Sequence, residues 1–358
     1  MSTFYNAKVV KIQRETDDAV SVYFEVAPEF KSEFNYKPGQ YITIEQEING
    51  ETVRRAYSLC TSPFTDTIPA VTVKRVDGGI MSNWVNSSLK EGTNIQILAP
   101  EGRFTPTLDP NAKKHYFLFA GGSGITPNMS ILKSVLTQEP NSVVTLIYAN
   151  RNKKTVIFKD QLEALVSQYG SRLEIVHVYD SPGLFSSAPK GPIKADLAAK
   201  LFTKHRRAGY TAEAFICGPG GMMDAVKDGL KNCSIADDAV HVEYFIAPTS
   251  NNQANNNVVA TPTESVTETE VEMKLNGELH TFYVGPRKTI LAGAQDAGLD
   301  PPYSCEAGIC STCMAKVTEG SVKMIENNIL TKKEVDAGFV LTCQAICTSP
   351  KVKVEFFE

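Results

Sequence analysis

Four cysteines near the C-terminus have a spacing that can hold a metal cluster. Cys305, Cys310 and Cys313 form a Cys-x4-Cys-x2-Cys loop, and Cys343 follows in a distant segment. This is the ligand spacing of [2Fe–2S] clusters held by three thiolates from one loop and a fourth from elsewhere. The alternatives are a zinc site or unrelated buried cysteines. Zinc sites favour paired Cys-x2-Cys knuckles, and this set contains a single pair, so the pattern predicts a [2Fe–2S] cluster.

The residues around these cysteines refine the prediction. Gly308 and its small neighbours allow backbone N–H groups to turn inward and stabilise the cluster's negative charge. Cys347 lies four residues after Cys343 and competes with it as the fourth ligand. In a chain without an export signal, cysteines outside the cluster are expected to be reduced thiols. These are Cys60, Cys217, Cys233 and Cys347.

A glycine-rich segment, residues 121–127, follows the apolar run HYFLFA. Glycines let a phosphate approach the backbone, and a helix that begins there offers unpaired N–H groups and a positive dipole end. Thr126 is predicted to cap that helix and Pro127 to be its first residue. A mere tight turn is the alternative, but the strand–turn–helix context favours a nucleotide site. The predicted contacts are Gly122, Ser123, Gly124 and Thr126.

The next apolar run, VVTLIYA, leads into Asn150-Arg151-Asn152-Lys153-Lys154. A dinucleotide site for NAD typically places an acidic residue here to hold the ribose hydroxyls. Arg151 and the two lysines favour the 2′-phosphate of NADP instead. The segment therefore predicts NADPH. NADH is the alternative, and a solvated basic loop is the interpretation without a function.

Three further segments could bind a cofactor. Cys217-Gly218-Pro219 begins at the last residue of the run EAFIC and leaves a thiol at a strand's carboxyl end, where α/β sheets bind ligands. A buried apolar cysteine is the alternative. Arg55-Ala56-Tyr57-Ser58 could pair a pyrophosphate, stack on a flat ring and hydrogen-bond a ring nitrogen, or be a plain amphipathic strand. Gly79-Ile80-Met81-Ser82 resembles a glycine turn into a helix N-terminus, another anion site.

Four blocks of sequence position these residues. Residues 1–108 contain six short β-runs divided by turn signals, including Asn49-Gly50, which predicts an antiparallel β-barrel. Residues 112–246 alternate apolar β-branched runs with helical stretches, which predicts a parallel α/β sheet. In one such stretch, Phe158, Leu162, Leu165, Val166 and Tyr169 are predicted to share one helix face. Gly170 is predicted to follow its end.

The remaining two blocks differ sharply in composition. Residues 247–269 are rich in Asn, Thr and Pro and poor in large apolar side chains, which predicts a flexible linker. Residues 270–358 contain a hairpin at Asn276-Gly277, a helix near Thr289–Ala297, the cysteine loop and a closing strand. The chain is thus predicted to be multidomain.

Composition narrows the functional class. The 358 residues are 42% hydrophobic and 21% charged, with a formal net charge of -4, which is typical of a soluble globular protein of two or three domains. No basic stripe indicates nucleic-acid binding. No apolar run approaches the ~18 residues of a membrane span, and the N-terminus does not resemble a secretory signal. The predicted location is the cytoplasm.

These motifs, in this order, resemble the ferredoxin–NADP reductase superfamily with a plant-type [2Fe–2S] ferredoxin domain fused at the C-terminus. The resemblance covers nearly the whole chain apart from the predicted linker. Arg55-x-Tyr57-Ser58 matches the flavin motif, with Leu59 where many members carry Ser or Thr, and residues 79–82 match the flavin-diphosphate segment. RRAYSLC, NRNKKTVIF, CGPGGMM and HVEYF look most similar to reductase subunits of ring-1,2-phenylacetyl-CoA epoxidases.

The resemblance implies cofactors, a fold and roles. It implies FAD, with FMN as the alternative because phthalate-dioxygenase-type reductases share this domain order, and a β-grasp (α+β) ferredoxin domain. Ser58 would hydrogen-bond the flavin N5 region, Tyr57 would stack on the ring, Cys217 would position the nicotinamide and Glu243 would face the same site. By the same resemblance, Cys343 is the fourth cluster ligand rather than Cys347.

The implied activity is electron transfer from NADPH through the flavin and the cluster to a partner protein. The partner would be an oxygenase, of the diiron phenylacetyl-CoA epoxidase type. The alternatives are another acceptor, namely a Rieske oxygenase, a desaturase or a hybrid-cluster protein, or a redox-sensing interaction module without turnover.

Overall fold

A computed structural model describes residues 3–182, 188–245 and 268–356. The chain forms two compact units, one within Tyr5–Pro248 and the other within Thr249–Glu358. The predicted linker, residues 247–269, lies outside the described residues except for its last two, and Thr269 already begins a strand. Among the described residues, no helix has the length and apolar character needed to cross a membrane.

The first unit begins with six antiparallel strands in the order β4-β3-β6-β1-β2-β5. They are β1 Tyr5–Thr16, β2 Ala19–Val26, β3 Tyr41–Ile48, β4 Glu51–Ser58, β5 Ala70–Lys74 and β6 Asn94–Ile97, with helix α1 (Ile80–Ser87) between the last two. The two edge strands meet where Leu59 bridges Val71 and the Cys60 N–H donates to the Ala70 carbonyl at 2.9 Å. This contact closes the sheet and confirms the predicted antiparallel barrel.

The turn between β3 and β4 sets the position of the flavin motif. Asn49 and Gly50 have φ angles of 55° and 82°, the left-handed pair that a two-residue hairpin turn requires. So tight a turn leaves one register, in which Ser58 pairs with Tyr41. Arg55 to Ser58 therefore lie together at the carboxyl end of β4.

The second half of this unit is a parallel sheet in the order β11-β10-β7-β8-β9. Its strands are β7 Lys114–Gly121, β8 Val143–Asn150, β9 Leu173–Tyr179, β10 Thr211–Gly218 and β11 Val240–Tyr244. Its helices are α2 Ile125–Gln138, α3 Lys159–Tyr169, α4 Ala195–His205 and α5 Gly220–Leu230. Strands β7 and β8 are buried almost throughout, as expected where helices cover both faces of a parallel sheet.

Two local predictions here were wrong. Helix α2 begins at Ile125 with Gly124 as its N-cap, so Thr126 is its second residue and not its cap. Val166 is 37% exposed and so lies off the predicted buried face, whereas Phe158, the left-handed N-cap residue before α3, is buried in the same core cluster as Leu162. The helix packs on the sheet through the narrower stripe of Leu162 and its neighbours Leu165 and Tyr169. Gly170 ends this helix with φ 53°, as predicted.

The barrel and the parallel sheet are joined by direct polar contacts. The Ser130 hydroxyl donates to the Thr61 carbonyl at 2.6 Å, and the Ser62 and Ser134 hydroxyls are 2.7 Å apart. Phe104 also packs edge-on against Phe215 with ring centroids 5.2 Å apart. Because buried polar groups are stable only when hydrogen-bonded, these pairs hold the two halves in one relative position.

The second unit is a mixed five-stranded sheet in the order β13-β12-β18-β14-β16, with the pair β15–β17 beside it. Its strands are β12 Thr269–Leu275, β13 Glu278–Val284, β14 Met314–Glu319, β15 Val322–Met324, β16 Phe339–Leu341, β17 Ala345–Cys347 and β18 Lys351–Glu355. Helices α6 (Ile290–Asp296) and α7 (Lys332–Asp336) complete it. The predicted hairpin turns at Asn276 and Gly277, and Thr289 caps α6. This α+β unit has the arrangement expected of the predicted β-grasp domain.

Candidate functional site

A cleft of about 380 Å³ lies between the barrel and the parallel sheet. The carboxyl ends of β4, β7 and β10 and the N-terminus of α1 form its walls. The sequence-predicted residues that line it are Arg55, Ala56, Tyr57, Ser58, Gly79, Ile80, Met81, Ser82, Gly122, Ser123, Thr126, Gly218 and Pro219. The flavin motif and the nucleotide motif are far apart in the chain, yet they share one cavity.

Residues that sequence reasoning missed also line this cleft. Thr72, Lys74 and Val76 come from β5 and the turn after it, and Phe245 follows β11. The sequence could have indicated Thr72 and Lys74 as cleft residues, because alternate residues of a strand such as β5 face the same side. Lys74 brings a second cation to the cleft, and its Nζ lies 3.8 Å from where a side chain on Gly122 would begin.

Three helix N-termini meet at the cleft without side-chain caps. Among the described residues, no side chain caps α1 at Gly79, α2 at Gly124 or α5 at Pro219. The first N–H groups of a helix have no intrahelical partner, and the helix dipole makes that end positive. The first N–H of α2, that of Ile125, already donates to the Gly122 and Ser123 carbonyls. The polar hydrogens suited to the phosphates of a dinucleotide or flavin cofactor therefore come chiefly from α1 and α5.

The turn before α1 is held by the side chains of the helix itself. The Asn83 amide donates to the carbonyls of Gly79 at 2.7 Å and Val76 at 3.1 Å, and the Val76 N–H donates to the Ser82 hydroxyl at 3.1 Å. The Ser82 hydroxyl is thus committed to the turn. Its contribution to a bound diphosphate would come from its backbone N–H.

The nucleotide loop is fixed by three consecutive carbonyl contacts. The Tyr148 hydroxyl donates to the Gly122 carbonyl at 3.1 Å, Thr126 Oγ1 to the Ser123 carbonyl at 3.1 Å, and the Asn128 amide to the Gly124 carbonyl at 2.8 Å. Tyr148 and Asn128 are fully buried. Sequence reasoning missed both, since one lies inside an apolar strand and the other inside a helix. Together they set the peptide planes of the loop.

Gly124 serves packing rather than ligand approach. A Cβ at this position would collide with the backbone carbonyl of Cys217 and lie 2.7 Å from the Gly218 nitrogen. We expect Gly124→Ala to destabilise the first unit by about 2–4 kcal/mol, because backbone atoms on both sides cannot retreat. Thermal unfolding followed through flavin release measures this loss.

The matched control is Gly221→Ala, since a Cβ at Gly221 meets nothing within 4 Å. Gly221 lies in α5, where alanine is favoured over glycine by roughly 1 kcal/mol. An equal loss of stability in the two variants would show that the close approach at Gly124 is not responsible.

Arg55 and Tyr57 lie on the same side of β4, as strand alternation predicts. Burial raises the pKa of Tyr57, and the nearby Arg55 guanidinium opposes the rise only partly. The Tyr57 phenol therefore stays neutral. Arg55 itself is braced by donation from Nη1 to the Arg54 carbonyl at 2.6 Å.

Ser58 and Glu243 each have a buried side-chain oxygen without a hydrogen bond among the described residues. Ser58 Oγ and Glu243 Oε2 lack a hydrogen bond among the described residues, and the side chains are 3% and 8% exposed. Burial raises the pKa of Glu243 to about 8, and the nearby Ser58 hydroxyl opposes this. The two groups are close enough to interact electrostatically without the alignment of a regular hydrogen bond.

Cys217 lies next to Glu243 across the paired strands β10 and β11. It is fully buried, and burial first, then the neighbouring carboxyl, raises its pKa, so it is a neutral thiol. Cys217 and Glu243 are buried and are not among the described residues that line the cleft. Their predicted roles at the nicotinamide stay predictions.

Arg151 lies apart from the cleft. It is exposed and follows β8, at the carboxyl edge of the parallel sheet. Beside it, the buried Asn150 amide nitrogen has no hydrogen-bond partner among the described residues. This edge is where open α/β sheets bind nucleotides, and Asn150 adds a polar group that sequence reasoning did not single out.

The four predicted cluster ligands converge in the second unit. The Cys305 and Cys310 sulfurs are 3.1 Å apart, and Cys343 interacts with both Cys305 and Cys313. Hydrogen bonds from Cys310 and then Cys343 lower the pKa of Cys305, and the same contacts raise the pKa values of Cys310 and Cys343. The loop and the distant segment thus meet as the spacing predicted.

Cys347 lies elsewhere. It is on β17, where it pairs with Val322, and it packs against the core of the β-sheet. Cys313 and Cys343 instead share a separate cluster with Leu291, Leu330 and Leu341. This separate location, away from the loop thiol of Cys313, makes Cys347 less suited than Cys343 to binding iron.

The residues present fit the groups that the motifs predict. Uncapped helix ends, two cations and orphaned polar atoms suit a flavin and a pyridine nucleotide, and four sulfur donors suit an iron–sulfur cluster. Family models match in the same order: an oxidoreductase FAD-binding domain over residues 6–105, an oxidoreductase NAD-binding domain over 118–228 and a 2Fe-2S iron-sulfur cluster binding domain over 273–348. The chain belongs to the ferredoxin–NADP reductase superfamily.

Two curated relatives match this reductase over nearly its whole length. The ferredoxin reductase component of 3-ketosteroid-9-alpha-monooxygenase from Rhodococcus rhodochrous is 38% identical over 352 residues, covering 97% of this chain and 95% of the relative. A subunit of the 1,2-phenylacetyl-CoA epoxidase from Escherichia coli K12 is 32% identical over 361 residues, covering 99% and 98%. The superfamily assignment therefore includes the C-terminal [2Fe–2S] domain.

A solved structure has the same fold as this reductase. Phthalate dioxygenase reductase aligns with a TM-score of 0.61 at 23% identity, covering 99% of this chain and 98% of the other. The fold agrees with the family models, which make the reductase an oxidoreductase with FAD-binding, NAD-binding and 2Fe-2S domains.

Proposed function

We propose that this reductase is the electron-transfer component of an oxygenase system, taking electrons from NADPH and delivering them to a separate oxygenase. The observation that carries the proposal is the pairing of two sites in one chain. One unit has a cleft shared by the flavin and nucleotide motifs, and the other has four convergent thiols. The two relatives are named as components of a monooxygenase and of an epoxidase, which supports a role for this chain in an oxygenase system.

The proposed roles follow from the geometry. Arg55, Tyr57 and the N-terminus of α1 would hold the flavin, and the loop at residues 122–124 with Gly218 and Pro219 would hold the nicotinamide half of the nucleotide. When bound, the flavin accepts an electron pair and the cluster passes single electrons onward. Ser58, with Glu243 and Cys217 behind it, would supply polar contacts at the reacting ring.

The residues of the cleft prepare it for these groups before they bind. The buried contacts of Tyr148 and Asn128 hold the nucleotide loop, and the Asn83 amide holds the turn before α1. Ile80 is an apolar side chain left 43% exposed at the cleft, and a flat ring system would cover it. Preorganised sites of this kind lower the cost of ordering a cofactor.

Two oxygenase partners are supported by different observations. The motifs RRAYSLC, CGPGGMM and HVEYF favour a diiron oxygenase of the phenylacetyl-CoA epoxidase type, as does the 32% identical relative. The 38% identical relative favours a 3-ketosteroid monooxygenase instead. We place the epoxidase-type partner first, because it is supported by the motifs and by a relative, and the steroid monooxygenase second.

The test mixes the purified, flavin-loaded reductase with each oxygenase component and its substrate. We expect NADPH-dependent product formation with one of them and rapid NADPH-dependent reduction of cytochrome c without any oxygenase. Reduction of cytochrome c without product from either oxygenase would confirm the reductase activity and would rule out both oxygenases as the partner. A chain that binds a cluster yet oxidises neither NADPH nor NADH would be a redox sensor.

Arg151 gives a prediction about the nucleotide. We expect Arg151→Ala to raise KM for NADPH roughly tenfold or more, because a charge-assisted hydrogen bond to the 2′-phosphate is worth about 1.5–3 kcal/mol. KM for NADH should change little, since NADH lacks that phosphate. Steady-state kinetics with both nucleotides measure the difference, and an equal rise for both would rule out this role of Arg151.

A further inference from the structure

Gln344 connects the two segments that carry the four cysteines. It follows Cys343 directly and is 8% exposed. Its side-chain Nε2 donates to the Glu306 carbonyl at 2.9 Å, inside the Cys305–Cys313 loop. A long polar side chain is rarely buried unless it is hydrogen-bonded, and this one is bonded to the backbone of the cysteine loop.

The peptide that Gln344 holds also contacts a cysteine. The Ala307 N–H, which belongs to the same peptide unit as the Glu306 carbonyl, donates to Cys305 Sγ at 3.4 Å. In a trans peptide the C=O and N–H point in opposite directions. The amide of Gln344 on one side and the sulfur of Cys305 on the other therefore fix the orientation of this peptide plane together.

Holding this peptide has a conformational cost. Glu306 has φ 52°, a left-handed conformation that costs a side-chain-bearing residue on the order of 1 kcal/mol. A residue keeps such a conformation when its surroundings stabilise it. The hydrogen bond from Gln344, together with the contact from the Ala307 N–H to Cys305, opposes a return of the Glu306–Ala307 peptide to a relaxed orientation.

Packing alone does not explain Gln344. A Cβ on Gly308 would lie 3.1 Å from Gln344 Cγ, so the stem of the side chain does fill space against the loop. An apolar side chain of the same length would fill that space equally well. The amide group adds a hydrogen-bond donor to the Glu306 carbonyl, whose peptide also donates its N–H to Cys305 Sγ.

We propose that Gln344 is a positioning residue that holds the Glu306–Ala307 peptide with its N–H on the Cys305 thiolate and thereby raises the reduction potential of the cluster. The inference rests on the proposed [2Fe–2S] site. An N–H···S hydrogen bond stabilises negative charge on the ligand, and it stabilises the reduced, more negative cluster most. If the Glu306–Ala307 peptide turns its N–H away from Cys305, the reduced cluster loses this stabilisation and becomes harder to reduce.

The experiment compares Gln344→Met with the native protein, both full-length and flavin-loaded. Methionine keeps the length and loses the amide donor. The midpoint potential is measured by redox titration, with the cluster followed by electron paramagnetic resonance. We expect a shift to more negative potential. At the native midpoint, the ratio of reduced to oxidised cluster should fall about three- to tenfold, the effect of one ordinary hydrogen bond.

Two controls separate this effect from general damage. Gln295→Met places the same substitution on α6, in the same unit, and should leave the cluster midpoint unchanged. The flavin midpoint, read in the same titration, should be native in both variants. Gln344→Asn keeps an amide that is one methylene too short to reach the Glu306 carbonyl, and it should shift the cluster potential in the same direction as Gln344→Met.

Each outcome decides the proposal. The proposal is overturned if both Gln344 variants have the native cluster midpoint potential. It is also overturned if neither variant assembles a cluster, because Gln344 would then be purely structural. If only Gln344→Asn assembles a cluster, the shift in its midpoint potential decides: a more negative potential supports the proposal, and a native potential overturns it. Native protein that shows no [2Fe–2S] signal at all would refute the proposed function instead, which keeps the two failures distinct.

Discussion

Cys343→Ser is expected to abolish the [2Fe–2S] absorption and electron paramagnetic resonance signal of the reductase. The structure brings Cys343 against Cys305 and Cys313, and it is 6% exposed. A serine oxygen is a harder donor than a thiolate and suits iron–sulfur chemistry less well. The measurement is the iron and acid-labile sulfide content of the purified protein together with its visible spectrum.

The control for this prediction is four residues away. Cys347→Ser should retain the cluster, because Cys347 lies on β17 and packs against the β-sheet core. Flavin content should be native in both variants, since the flavin motif belongs to the other compact unit. Cluster loss in Cys347→Ser with retention in Cys343→Ser would reverse the assignment of the fourth ligand.

Glu243→Gln is expected to remove a pH dependence from the stability of the first unit. The pKa of Glu243 is raised from 4.5 to about 8, chiefly by burial. Below about pH 4.5 the carboxyl is neutral in both folded and unfolded chains. As the pH rises from there toward 8, the unfolded chain ionises first and gives up its proton, so the free energy of unfolding falls by on the order of 4 kcal/mol and then levels off.

Glutamine has the shape of the neutral acid and does not titrate. The native protein should therefore lose stability relative to Glu243→Gln as the pH rises from 5 to 9, by roughly 10 °C in melting temperature. Melting of the first unit is followed through the increase in fluorescence of released flavin. Because Ser58 and Cys217 face the same carboxyl, the rate of flavin reduction by NADPH should also lose a titration near pH 8.

Glu163→Gln is the matched control for this prediction. Glu163 lies on α3 with its side chain 68% exposed, so neutralising it removes a charge without removing a buried carboxyl. Its melting temperature should follow the native pH dependence. Parallel curves for the native protein and Glu243→Gln would mean that Glu243 is not the titrating group.

Much of the fold could be predicted from local pattern. The six barrel strands and the five strands of the parallel sheet match alternating or continuously apolar runs, because strand burial leaves its period in the sequence. Asn-Gly pairs marked both hairpins, since few other pairs adopt two consecutive left-handed conformations. The start of α2 was placed too late because Gly124, with no side chain to signal a cap, ends the preceding turn.

The site was predictable only where chemistry concentrates in a short motif. Arg55 to Ser58 and residues 79–82 were found because several functional groups lie within four residues of one another. Tyr148 and Asn128 escaped notice because each is a single polar side chain within an apolar segment. Their hydrogen-bond partners, the carbonyls of Gly122 and Gly124, become neighbours only when β7, β8 and α2 pack together.

By itself, the sequence determined the order of the domains, the Cys305–Cys313 loop with its cluster spacing and the presence of flavin and nucleotide motifs, since each motif depends on spacing within one stretch of chain. The tertiary structure decided that the two motifs share one cleft, that Glu243 and Cys217 are buried beside each other on β11 and β10, and that Cys343 rather than Cys347 meets the cysteine loop. These facts depend on contacts between distant segments, and such contacts are set by packing, which no local pattern encodes.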